Sequence, residues 1–392
     1  MPCNHAGMPG LMVSDELEAF RSSVADFAAS VIAPVIGDKY ERGEFPVDLV
    51  SQMAQLGLFA LPFPESVGGG GGDLLAFGIA LEEIARVDSS MAITLEAAVS
   101  LGASPIYRFG TQEQKDRWLP DLLAGRTLGA FGLTEPGGGS DAGSTQTKAE
   151  QSGESWQLNG EKCFITNAGT PLTAFINATA VTGHRADGRR EISTILVPTG
   201  TPGLEIGASY SKVGWRCSDT RPVAFADCSV PLDHLVGERG RGYAQFLSIL
   251  DEGRVAIAAL STGLAQGCLD EAVRYASERE AFGQPIGAHQ GLAFQIADMA
   301  SRVHTSRLAW YDAATRCVAG LAFKKEAAIA KLTSSDAAMD NARAATQVFG
   351  GYGFMNEYPV GRFYRDAKVL EIGEGTSEIQ RILIARELGL PV

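Results

Sequence analysis

The sequence predicts an α+β fold in which a helical region, a β-rich region and a second helical region follow one another. Three observations predict it. Apolar residues recur at helical spacing from Ser14 to about residue 130. Strand-like runs between turn clusters occupy roughly 131–235, and the helical period returns in long segments from Gly242 onward. The 392 residues suffice for two or three domains, dividing as 1–130, 131–238 and 239–392.

In the first region Leu17, Phe20, Val24, Phe27 and Val31 share a helical face, as do Leu49, Met53, Leu56 and Leu58. The apolar, Ala-rich stretch Leu81–Leu101 predicts a buried helix. Gly68–Gly72 resembles a phosphate loop but lacks the following Lys-Ser/Thr pair, and reads as a flexible connection. In the middle region Asn159-Gly160, between two strand-like runs of Trp156–Thr166, predicts a hairpin turn. Thr173–Thr182, Ile192–Pro198 and Pro222–Val230 read as further strands of a small antiparallel barrel or sandwich. Gly237–Gly242 is no dinucleotide fingerprint, because no βαβ unit surrounds it, and serves as a linker. Helices are expected over about 246–280, 289–318, 323–350 and 377–388. The one containing Val255, Ile257, Leu260, Leu264 and Leu269 is apolar almost all round and belongs inside a bundle or a subunit interface.

Hydrophobic residues make up 45% and charged residues 20%, the balance of a soluble globular protein. The apolar runs are interrupted before membrane-spanning length, so no transmembrane helix is expected. A formal charge of -13 opposes a nucleic-acid partner, which needs a basic footprint. The six cysteines (Cys3, Cys163, Cys217, Cys228, Cys268, Cys317) have no paired spacing and, with five isolated histidines, form no metal motif. Met1–Leu11 lacks the features of a signal or transit peptide, so a cytoplasmic location is the expectation.

Glu374 is the most telling residue. It stands between two glycines in Leu370-Glu-Ile-Gly-Glu-Gly-Thr-Ser-Glu-Ile-Gln380, at the mouth of the last helix. Ser377 and Gln380 have capping-box spacing, and Ile379, Ile382 and Leu383 begin an apolar face. The glycines let the backbone aim one carboxylate at a target, although alone the residue reads equally well as a surface cap. Leu133-Thr-Glu-Pro-Gly-Gly-Gly-Ser-Asp141 offers bare backbone and hydroxyls to a ligand or makes a structural loop. Arg279 is a phosphate fork or an exposed helix end. Asp251-Glu-Gly-Arg254, opening the long helix, either pairs internally or meets a ligand.

Taken together, Phe131-Gly-Leu-Thr-Glu-Pro-Gly-Gly-Gly-Ser-Asp141, Asn159-Gly-Glu-Lys-Cys-Phe-Ile-Thr-Asn167, Arg279-Glu-Ala-Phe-Gly283, Gln347-Val-Phe-Gly-Gly-Tyr-Gly353 and the Glu374 segment resemble, in order and spacing, the acyl-CoA dehydrogenase family over nearly the whole chain. The resemblance implies an N-terminal helical bundle, a middle β domain and a C-terminal four-helix bundle that bind FAD. It implies flavin contacts from Phe131, Leu133, Thr134, Gly139 and Ser140, with Phe164, Ile165 and Thr166 on one face and the N5 side. Phe164 stands where many relatives carry Trp. Arg279, Phe282 and Gln290 are implied for the diphosphate and adenine, and Gln347, Gly350 and Gly351 for the FAD of a neighbouring subunit in a dimer-of-dimers tetramer. Thr376 and Glu378 complete the cofactor set, while Ser140, Asp251, Arg254 and Gly375 meet the acyl-CoA.

The implied reaction is α,β-dehydrogenation to trans-2-enoyl-CoA. Glu374 takes the α-proton, the β-hydride passes to flavin N5, and electrons go on to electron transfer flavoprotein. Gly253 occupies the helix position where some branches carry the base and cannot serve. An oxygen-using flavoenzyme of this fold (an acyl-CoA oxidase or a monooxygenase), or a DNA-associated member of the superfamily, is the alternative; the Gly-Glu-Gly-Thr setting opposes a monooxygenase, and the acidic charge opposes a DNA-associated role. Small Ala97 and Ala98 would allow depth in the acyl cavity, and Gly373, where many relatives place Tyr, would widen it near the reacting carbons. Gly253 and the Gly-Glu-Gly-Thr-Ser-Glu-Ile-Gln ending resemble short-chain members, which implies a short straight or methyl-branched acyl group of about four to six carbons.

Overall fold

Ser14 starts the first helix by accepting the Leu17 amide on its hydroxyl (3.3 Å), and Asp15, Glu16 and Glu18 place negative charge in the first turn. The computed structural model describes residues 14–392, so Cys3 and the leader-free reading of Met1–Leu11 lie outside the described residues. The helix continues through a π-helical turn, Ala28–Ile32, to Arg42. Its fully buried stripe is Val24, Ala28, Ile32, Ile36 and Tyr40, at four-residue spacing; Leu17, Phe20, Phe27 and Val31 are only partly covered. Among the described helices this one is long and apolar enough to cross a membrane by length and composition, which the broken apolar runs had not suggested. Its buried stripe and the bond from Arg21 to Glu83 (2.7 Å) dock it on the protein.

Gly68–Gly72 is a folded strap rather than a flexible connection. The amides of Gly69, Gly70, Gly71 and Gly72 donate to Pro64, Ala60, Phe63 and Leu61 carbonyls at 2.8–3.1 Å, leaving none for a phosphate. The stretch Leu81–Leu101 also differs from expectation. One helix, Leu74–Ala85, ends at Arg86, and Asp88 caps a second by accepting the Met91 amide (3.0 Å). This second helix runs Ser89–Glu96, turns π-helical over Ala97–Ala103, and finishes at Phe109.

The middle region forms one eight-stranded sheet from β1 (Leu128–Gly132), β2 (Lys148–Ser152), β3 (Ser155–Thr166), β4 (Thr173–His184), β5 (Arg190–Pro198), β6 (Leu204–Ile206), β7 (Thr220–Pro231) and β8 (Leu235–Val236). The order is β6-β7-β3-β2-β4-β5-β8, mostly antiparallel, with β1 parallel to β4. It encloses its own core of Trp156, Leu158, Ile176, Ile195, Val223 and Phe225. Asn159-Gly160 is not a turn. It lies inside β3 at a register shift against β7, where Asn159 binds the Asp227 amide (2.8 Å) and Gly160 takes φ +146° against Thr147. The hairpin turn sits earlier, at Gly153-Glu154, where Gly153 has φ +58°.

The C-terminal bundle comprises Gly242–Glu278, Gln290–Val318, Lys324–Phe349, Pro359–Leu370 and Ser377–Glu387. Asp251 does not open the long helix; it falls nine residues inside it. Pro359–Leu370 fills a stretch with no assigned helix, although Pro359 at its start and buried Val360, Phe363, Ala367 and Leu370 carry the signal. One continuous core joins Leu81, Met91 and Leu95 to Ile257, Leu260, Met299 and Phe363, so the two helical regions fold around each other. Buried Asp366 ties in the sheet region: it accepts from Tyr40, from Ser89 (2.8 Å) and from the Trp215 amide (2.7 Å).

Candidate active site

Glu374 occupies the loop between the last two helices with φ +55°, left-handed for a non-glycine residue, followed by Gly375 at +89°. Such backbone is held only when its surroundings enforce it. Three groups do so here. The Gly373 amide closes the preceding helix on Val369 O (2.8 Å), Lys331 Nζ donates to Gly375 O (2.8 Å), and Gln380 Nε2 donates to the same carbonyl (2.9 Å). At φ +89° a side chain on residue 375 would be strained, and its Cβ would also stand 2.8 Å from Gln380 Nε2, so the position favours glycine. The expected Ser377–Gln380 capping box is absent. Thr376 is the cap, accepting the Ile379 amide (3.3 Å), because Gln380 is spent on the loop carbonyls and Ser377 is buried.

The Glu374 carboxyl turns inward. Its Oε2 is buried without a hydrogen-bond partner and lies 2.8 Å from where a Cβ on Gly253 would stand. Burial raises the group to about 7, against the pull of the Arg254 guanidinium and the Lys331 ammonium. Arg254 is itself buried, paired with Asp251, and its Nε has no partner. Asp251 is raised by burial despite Arg254. Lys331, wholly buried, is depressed to about 8. A carboxyl raised to about 7 beside two cations, with Oε2 free of hydrogen bonds, is suited to accepting a proton from a weak acid.

Sequence reasoning missed Lys331, Gln380 and Glu96. Glu96 is wholly buried, and its Oε1 is 3.8 Å from the same Gly253 point. A lone charge inside an Ala-rich run was the available signal for both Glu96 and Lys331. Ala97 and Ala98 are buried beside Glu96, but the nearby cleft of about 310 Å³ is lined from this segment by Val99 and Ser100, facing Phe77, Ile249 and Tyr107.

A second group of predicted residues gathers at the sheet. Lys162, buried on β3, donates to Leu133 O (3.2 Å), Glu135 Oε1 (2.7 Å) and Thr179 Oγ1 (3.2 Å), while Glu135 also accepts the Gln146 and Thr147 amides. Lys162 is depressed to about 8 by burial. This anchor holds the Thr134–Ser140 loop, whose Gly137 backbone faces open space. The Cys163 amide donates to Thr134 O (2.9 Å), which sets Phe164, at φ +60° and 66% exposed, close to the loop with Thr166 two residues on. Bare backbone next to an exposed ring makes a cradle for a planar ligand with hydrogen-bonding edges. Two predicted contacts have their side chains elsewhere: Ile165 is in the sheet core, and Phe131 is buried in a stack on Phe246 (4.6 Å). They can offer only backbone or a wall.

A third group lies at one end of the bundle. Tyr275 stacks on Phe349 (4.0 Å), which brings the Arg279 end of the long helix to the Gln347–Gly351 turn. Phe282 is 95% exposed at φ +54°, Gln290 begins the next helix, and Gly350 (φ +59°) and Gly351 face open space. Ser140 and Glu378 are exposed.

Three family models match in series: acyl-CoA dehydrogenase N-terminal domain over residues 14–126, middle domain over 130–228 and C-terminal domain over 240–389. A probable acyl-CoA dehydrogenase of Bacillus subtilis, YngJ, is 48% identical over 376 residues, covering 96% of this chain and 98% of that one. The structure of butyryl-CoA dehydrogenase from Megasphaera elsdenii superposes with a TM-score of 0.92 at 38% identity, covering 96% of this chain and 98% of that one. A chain in the structure of the electron transferring flavoprotein of Acidaminococcus fermentans matches equally well, TM-score 0.92 and 38% identity, over 96% and 99%. The chain belongs to the acyl-CoA dehydrogenase family of FAD-dependent oxidoreductases.

Proposed function

We propose that this enzyme converts a short-chain acyl-CoA thioester to its trans-2-enoyl-CoA, with Glu374 as the base that removes the α-proton. The observation that carries the reading is the Glu374 carboxyl itself: inward, unpartnered at Oε2, and raised to about 7. The α-carbon is a weak acid, so a base of ordinary carboxylate strength in water would be ineffective; burial brings proton affinity toward that of the target. The positive φ at Glu374 aims the side chain, and the Lys331 and Gln380 bonds to Gly375 O fix that aim. The Glu374 backbone N–H is then available to the thioester oxygen as charge develops there. Arg254, with its free Nε, and Asp251 border the acyl-CoA site.

Bound FAD supplies the acceptor for the β-hydride. Thr134, Gly139, Ser140, Phe164 and Thr166 would hold its ring system. Arg279, Phe282 and Gln290, with Gln347, Gly350 and Gly351, would reach a diphosphate and adenine shared across a subunit boundary. Exposed Phe282 and the open glycine backbone at Gly350–Gly351 support that sharing, and with it a homotetramer whose dissociation releases FAD. Electron transfer flavoprotein as acceptor is supported by the Acidaminococcus match, and a short acyl group by the butyryl-CoA dehydrogenase match. A cytoplasmic location and a straight or methyl-branched chain of about four to six carbons complete the reading.

Glu374→Gln tests it. The variant should purify yellow, with full FAD, and lose at least about a thousandfold in the rate of anaerobic flavin bleaching by butyryl-CoA. Wild-type bleaching in that variant would remove the assignment. A kcat/KM highest on a palmitoyl-length thioester would remove the short-chain reading alone.

A further inference from the structure

Glu96 has no role in the reaction described so far, yet it is the other carboxyl at this site. It ends the helical segment Ser89–Glu96, immediately before the π-helical course of Ala97–Ala103. π-Helical turns recur at functional sites. Both Glu96 oxygens are buried without a hydrogen-bond partner, a state that needs a reason in a folded protein. Glu96 Oε1 and Glu374 Oε2 stand 3.8 and 2.8 Å from the point a Gly253 Cβ would occupy. Both carboxyls therefore lie close to one bare backbone position. Gly253, in the interior of a 37-residue helix where glycine weakens the helix, keeps that space open.

The two acids have unequal surroundings. Arg254 from the long helix and Lys331 from Lys324–Phe349 both favour the ionised form of Glu374. On Glu96 the acting charge is Glu374 itself, which adds to burial in pushing the group well above the carboxylate range. The Ser100 hydroxyl, one turn later, opposes this without completing a hydrogen bond of full geometry. Close carboxyls in a low-dielectric site titrate as a pair and hold one negative charge over a wide pH range. The placement of the cations decides which member carries it.

We propose that Glu96 is a positioning residue for the reaction, a neutral acid facing Glu374 so that the single negative charge of the pair rests on the base. The proposal builds on Glu374 as the base. Its consequence is an upper pH bound. When Glu96 loses its proton, a second negative charge stands beside the developing enolate and raises the barrier.

The test is made on the FAD-loaded enzyme. The wild-type pH profile of kcat should be bell-shaped, with Glu374 on the acid limb and Glu96 on the alkaline limb. Glu96→Gln mimics the neutral acid; it should keep the acid limb within about half a pH unit and move the alkaline limb up by about one unit or more. Glu96→Asp should restore an alkaline limb. Infrared spectroscopy of the substrate-free holoenzyme at neutral pH supplies a readout without turnover: one protonated-carboxyl band should be lost in Glu96→Gln and kept in Glu374→Gln. An alkaline limb unchanged in Glu96→Gln, an acid limb lowered by a full unit, or no lost band would each overturn the proposal. Turnover surviving in Glu374→Gln would instead strike the base assignment, and the infrared result would then decide the pair independently.

Discussion

Replacing Lys331 by Met removes a wholly buried ammonium and leaves a side chain of similar length. Two quantities respond, with opposite signs. Lys331 is depressed from 10.5 to about 8 in the folded state, so its stabilising contribution, present above pH 10.5, is lost as pH falls through 8. At neutral pH the charge therefore costs roughly 3 kcal/mol, from ~1.36 kcal/mol per pKa unit. Met escapes that cost but gives up the bond to Gly375 O, worth about 1–2 kcal/mol, while Gln380 still serves the carbonyl. Net stability at pH 7 should change little or rise. Catalysis should suffer, because Lys331 is one of the two cations that lower the proton affinity of Glu374. Without it Glu374 climbs above 7. A rise of about one unit leaves roughly a tenth of the enzyme ionised at pH 7, so kcat should fall about fivefold there and recover about one pH unit higher. The assays are thermal unfolding against pH and the pH dependence of anaerobic flavin bleaching. An acid limb that does not move, or a variant that is less stable by several kcal/mol yet fully active at neutral pH, would refute the reasoning.

Gly253→Ala should leave thermal stability unchanged or slightly improved, since Ala favours helix by about 1 kcal/mol. Its methyl meets Glu374 Oε2 at 2.8 Å, the movable end of a side chain, and a displacement approaching 1 Å should lower kcat on the order of 10- to 100-fold with FAD content intact. Kinetics within threefold of wild type would contradict that placement. Lys162→Met strands Glu135 as a buried charge beneath the glycine loop, for a loss of about 3–5 kcal/mol and weaker FAD retention. Urea unfolding and the ratio of flavin to protein absorbance measure both effects.

The order of zones was legible in the sequence because it rests on periodicity, a local property: side chains three to four apart must share a helix face and alternate ones a strand face. The unusual backbone at Glu374 was legible for a related reason, as flanking glycines announce a special conformation, here φ +55° at Glu374 and +89° at Gly375. Local signals misled wherever another part of the chain answered them. Asn159-Gly160 has the chemistry of a tight turn, but Asp227 on a neighbouring strand takes the Asn159 side chain and Thr147 crowds Gly160, so the pair becomes a bulge. Gln380 has capping-box spacing, but the Gly375 carbonyl claims its amide and Thr376 becomes the cap. The glycine run at 68–72 could have bound an anion had its amides not found carbonyls at Ala60, Leu61, Phe63, Pro64 and Glu65. Only the tertiary structure could decide the electrostatics around Glu374. Glu96, Arg254, Lys331 and Glu374 come from four separate segments, and proton affinity depends on burial and distance between groups that sequence separation does not encode.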